Sequence, residues 1–68
     1  MSNKRAESEV VVASTIRSFI ERMHYSPSFR DVAEETGLPL GTVHAICVDL
    51  AERGTITYYP GVARSLRV

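Results

Sequence analysis

Apolar residues at Val12, Ile16, Phe19, Ile20 and Met23 recur at helical spacing and trace a single stripe, while Arg17, Ser18, Glu21 and Arg22 fall off it. The pattern predicts a first helix from about Arg5 to Met23. His24-Tyr25-Ser26-Pro27 ends it, because a residue before proline is pushed out of the helical region. Ser28 opens a second, short helix. Ser28-Phe29-Arg30-Asp31 reads as a capping box with Asp in place of the longer Glu. Phe29, Val32 and Ala33 form its inward face, and Glu34 and Glu35 face water. Gly37 closes it as a left-handed residue.

After the Leu38-Pro39 turn, Val43, Ile46, Cys47, Leu50 and Ala51 form the buried stripe of a third helix, from about Leu40 to Arg53. Gly54 terminates it. Thr55-Ile56-Thr57-Tyr58-Tyr59 is β-branched and aromatic and reads as a strand. Pro60-Gly61 is a turn, and Ala63 to Val68 return as a second strand with Leu66 inward beside Ile56. The expected fold is mainly α with a small β-hairpin: three helices plus a two-stranded wing, one domain over 1–68.

The length of 68 residues leaves room for one small core. One cysteine, Cys47, excludes an internal disulfide, and with two histidines no Cys/His metal cluster can be assembled. Cys47 sits on a buried stripe and reads as a small core residue, with no base placed to activate it. No cofactor is expected, and no constellation points to an enzyme or a small-molecule substrate. No apolar run approaches the ~20 residues of a membrane span. The opening Met1-Ser2-Asn3-Lys4-Arg5 is polar and unlike a signal peptide. Lys4 and Arg5 read as a frayed, solvated end rather than a binding arm. A bacterial or phage-infected cytoplasm is the expected location.

Ser28 to Gly54 has helix-turn-helix spacing, with Gly37 in the turn and the outer face of the third helix free at its N-terminal end. Here the chain resembles a known family. Tyr25 to Leu38 looks like the second-helix segment of the DNA-binding domain of LexA-type repressors. Thr42-Val43-His44 and Leu50-Ala51-Glu52-Arg53-Gly54-Thr55-Ile56 look like its recognition helix and first wing strand, and Pro60 to Val68 is similar to its wing. The resemblance runs from about Val10 to Val68. It implies duplex-DNA binding through the third helix, with the wing against the backbone or minor groove. Members of that family also carry a self-cleaving serine–lysine peptidase half that makes the dimer. This sequence stops at Val68, so neither property carries over.

Thr42 and His44 are positioned to meet phosphate or base edges, and the small Gly41 and Ala45 to let the helix approach, Ala45 against a thymine methyl. Ser28, at the positive end of the second helix, and Arg30 beside it suit a phosphate. Arg64 and Arg67 flank the wing, where an arginine can enter the minor groove or simply protect an edge strand. Tyr58 and Tyr59 alternate faces, so one of them, taken as Tyr59, is exposed to a phosphate or partner.

The formal net charge of zero argues against a generally basic surface. It is compatible with a dipole in which Glu7, Glu9, Glu21, Glu34, Glu35 and Glu52 lie on helix backs and Arg30, Arg64 and Arg67 face DNA. The expected function is sequence-specific duplex binding by a small phage- or plasmid-type repressor, weak as one copy and useful when copies associate on adjacent sites. An excisionase-like recombination factor and a winged-helix protein-interaction module are the alternatives.

Overall fold

The computed structural model describes residues 4–68. Three helices carry the chain: α1 (Lys4–Met23), α2 (Phe29–Thr36) and α3 (Leu40–Glu52). Each packs on the other two. Val12 and Ile16 of α1, Val32 of α2, and Val43, Ile46, Cys47 and Leu50 of α3 form one core, closed from below by Ile56 and Leu66. The stripes of all three helices thus meet where the periodicity placed them. Met23 departs from its stripe and is 42% exposed, because α1 ends on it and the chain leaves the core through His24 at φ 64°.

Two expectations at the start of the chain change. Met1 to Asn3 lie outside the described residues. Lys4 and Arg5 are not a frayed end: α1 begins at Lys4. Arg5 bonds Glu9 one turn on and reaches Asp49 of α3. Glu9 is likewise not on a helix back. It also accepts from Arg53 at 2.8 Å, tying α1 to the end of α3.

The caps follow the sequence. Ser28 Oγ accepts from the Asp31 N–H at 3.0 Å, and Asp31 Oδ2 accepts from the Ser28 N–H at 3.1 Å, the reciprocal bonds of a capping box. Gly37 closes α2 at φ 75°, its N–H reaching the Ala33 carbonyl. Gly54, at φ 77°, turns the chain out of α3. The Gly54 N–H meets the Ala51 carbonyl and the Thr55 N–H meets that of Leu50, the paired bonds of a Schellman motif that only a left-handed residue permits. That exit delivers Ile56 beneath the core.

The two-stranded wing is not formed. A single antiparallel bridge joins Thr57 and Arg67, each N–H donating to the other's carbonyl at 2.9 Å. The chain between them curls instead of pairing. Pro60 has no N–H to give a ladder. Arg64 stands at φ 55°, outside strand geometry. Where a second rung would lie, the Tyr59 N–H donates to Ser65 Oγ at 2.8 Å, and that hydroxyl donates on to the Val62 or Tyr59 carbonyl.

Candidate nucleic-acid interface

Helix α3 starts at Leu40, and Pro39 in the cap position before it has no side chain able to cap it. Val43 is the first residue whose N–H reaches back along the helix, to the Pro39 carbonyl. The N–H groups of Leu40, Gly41 and Thr42 therefore point out of its end. Leu40, Gly41, His44 and Ala45 are exposed, while Val43 and Ile46 behind them are fully buried. Gly41, His44 and Ala45 share the outer face; Thr42 lies at its edge and is half-buried. A Cβ added at Gly41 would meet nothing within 4 Å. Packing therefore does not require a glycine there, and its effect is to leave the first turn of α3 bare to an approaching surface.

Aromatic contacts fix His44. Its ring meets Phe29 edge-on at 5.1 Å, and Phe29 meets Tyr58 edge-on at 5.5 Å. This chain of rings joins α3, α2 and the wing, so the imidazole is held at their seam. Of the two tyrosines Tyr58 packs inward and Tyr59 is exposed, as alternation requires.

The basic residues divide by whether they have partners. Arg30, in the first turn of α2, and Arg67, at the wing bridge, are exposed and make no ion pair among the described residues. Arg64 is held. Its Nη1 donates to Asp31 Oδ2 at 2.9 Å and to the Ser26 carbonyl at 3.3 Å, and its guanidinium lies 5.0 Å from the Tyr25 ring centroid. The left-handed backbone at Arg64 aims the side chain back at α2 rather than outward from the wing. The Ser28 N–H, and then Arg64, keep the Asp31 carboxyl below its ordinary range. One carboxylate thus stands at the face, compensated by the arginine that the sequence placed on the wing.

Between the N-termini of α2 and α3 and the curled wing lies a groove of about 540 Å³. Pro27, Phe29, Leu40, Val62 and Leu66 make it apolar, and Arg30 and Arg64 stand at its rim. Sequence reasoning did not find this groove or the Asp31–Arg64 latch. Val62 had no periodic partner to flag it, and nothing local connects residues 33 positions apart.

Elsewhere the chemistry is quiet. Cys47 is fully buried, and burial raises its thiol pKa to about 11, which leaves little thiolate at neutral pH. Among the described residues no group of three His, Cys, Asp or Glu could hold a metal ion, and no helix is long and apolar enough to cross a membrane.

Two helices joined through a left-handed glycine turn, with the second presenting an open N-terminal face beside a hairpin-like loop, define a helix-turn-helix DNA-binding regulator. Residues 18–60 match the IclR helix-turn-helix domain, and the chain, more than half of it covered by that match, belongs to this family. No curated protein matches the chain. The resemblance to LexA-type repressors therefore holds for the DNA-binding class, while the family that matches is the IclR one.

Proposed function

We propose that this domain reads a short duplex DNA site as a transcriptional repressor. Gly41, His44 and Ala45, with Thr42 at their edge, approach base edges in the major groove. Arg30, the Ser28 end of α2, Arg67 and Tyr59 meet the backbone, and Arg64 joins them when a phosphate displaces Asp31. The observation that carries this reading is the first turn and a half of α3: uncapped, exposed at residues 40, 41, 44 and 45, and flanked by the unpaired Arg30.

With two or three cations available, one copy makes few phosphate contacts, so single-site affinity is low and salt-sensitive. Useful affinity comes from adjacent copies. That arrangement serves a phage- or plasmid-type repressor; in an excisionase-like factor the same cooperative array would assemble on a recombination site. The test is selection of bound oligonucleotides from a random pool at stated salt, with Ala45→Glu as the control variant. A short enriched motif that Ala45→Glu no longer selects supports the reading. A pool that stays random with the unaltered domain overturns it. The apolar groove favours a second reading, a protein-interaction module, which predicts that the unaltered domain enriches no motif from the pool at any salt.

A further inference from the structure

Gly41 and His44 border the groove between α2, α3 and the curled loop, but DNA does not account for its apolar walls. A phosphate backbone has no apolar body to cover them. The floor is closed, with Pro27 and Leu66 buried. The walls are open: Leu40 is 44% exposed and Val62 58%. The volume of about 540 Å³ lies within the ~300–1,000 Å³ of ordinary small-ligand pockets. The charge around it is one-sided. Two arginines and no Asp or Glu line it, in a chain of zero net charge. Arg30 makes no ion pair among the described residues. Arg64 commits its Nη1 to Asp31 and Ser26, which leaves Nε and Nη2 to serve a second acceptor. The uncapped start of α3 adds the N–H groups of Leu40 and Gly41, both on the groove.

We infer that this groove binds a small organic acid, a carboxylate carried on an apolar ring or chain. The apolar body lies against Phe29, Leu40 and Val62, and the carboxylate meets the arginine rim. A guanidinium matches a carboxylate with two parallel N–H···O bonds, which a neutral ligand of the same shape cannot use as strongly. The bound acid covers Gly41 and His44 and draws on Arg30 and Arg64, the groups assigned above to DNA. Acid and duplex therefore exclude one another, and the domain releases DNA when the acid is present. That consequence rests on the DNA-binding reading; the ligand site itself does not.

The test has a DNA-free arm. Amide proton–nitrogen NMR spectra of the whole chain are titrated with 2-naphthoate. The controls are 2-naphthamide, which has the ring without the charge, and acetate, which has the charge without the ring. Naphthoate should give saturable shifts at the amides of Leu40, Gly41, Ala63 and Ser65, with a Kd on the order of 100 μM. Each control should bind about tenfold more weakly or worse. Arg30→Gln should weaken naphthoate about fivefold or more and leave naphthamide unchanged. Val62→Glu, which sets a carboxylate against the ligand, should weaken naphthoate about tenfold or more. Both replaced side chains are exposed, and the spectra without ligand report that the variants are folded. In the second arm, naphthoate at about ten times its Kd should weaken binding of a labelled duplex about tenfold, the ratio simple competition requires. No saturable shift, shifts centred away from the groove, a control that binds as tightly, or a variant without effect overturns the proposal. Saturable binding that leaves duplex affinity unchanged overturns the mutual exclusion. Intact naphthoate binding by a chain that binds no duplex overturns the DNA-binding reading instead.

Discussion

Substituting Asp31 should move stability and DNA affinity in opposite directions. In the folded chain its Oδ2 accepts from the Ser28 N–H and from Arg64 Nη1. Losing half of a capping box costs ~0.5–1 kcal/mol. The ion pair is partly screened, with 47% of the Arg64 side chain and 27% of Asp31 exposed, and contributes about 0.2–1 kcal/mol. Asp31→Ala should therefore destabilise by ~0.7–2 kcal/mol, a fall of roughly 4–8 °C in Tm for each kcal/mol in a domain of this size. On DNA the sign reverses. The substitution deletes a negative charge at the interface and frees a guanidinium. Affinity for duplexes of any sequence should rise, and the slope of log K against log salt should steepen by the part of one phosphate contact, at most about 0.9, that Asp31 withholds from Arg64 in the unaltered domain. Asp31→Asn separates the two effects: its amide oxygen can still accept from Ser28, so most of the capping contribution survives while the charge is gone. Thermal melts and fluorescence anisotropy across a salt series measure both quantities. If Asp31→Asn binds no better than the unaltered protein at low salt, Arg64 does not reach phosphate when released, and the latch is structural only.

Other outcomes follow from the same contacts. Arg64→Ala should weaken binding to all sequences alike and flatten the salt slope by up to about 0.9; an unchanged titration in a gel shift removes Arg64 from the interface. Acid should unfold the domain from the low end of the carboxylate range. Arg53 and then Arg5 hold the Glu9 carboxyl below 4.5, and the Ser28 N–H and then Arg64 hold Asp31 below 3.8. As pH falls through those values the unfolded chain takes up its protons first, so stability is intact above about 4.5 and lost below it; a Tm that does not fall between pH 5 and 3 contradicts these pairings. Ile16 is fully buried, so Ile16→Ala should cost ~2–5 kcal/mol. That is most of the stability of so short a chain, and chemical denaturation should find little native population. Cys47 should react with a neutral disulfide reagent only through opening of the core, at a rate that rises with denaturant; fast labelling under native conditions would place the thiol nearer the surface.

The local features of this protein were legible in its residues. Apolar spacing placed all three helices and nearly the whole core. Ser28 with Asp31, Gly37 and Gly54 marked where helices begin and end, because each of these signals acts over three to five residues of a chain whose local geometry is already determined. Exposure of residues 40, 41, 44 and 45 followed from the same periodicity. The tertiary path decided everything that joins distant segments. It brought Arg64 back onto Asp31 and Tyr25, Arg53 onto Glu9, and Arg5 across 44 positions to Asp49. It also reduced the expected wing to one bridge, since strand propensity at 55–59 was outweighed by Pro60, the left-handed Arg64 and the Ser65 hydroxyl. A charged side chain selects among several opposite charges within reach, and which are within reach depends on how the helices cross. No spacing along the chain encodes that, so which charges are partnered and which are free emerged only from the packed molecule.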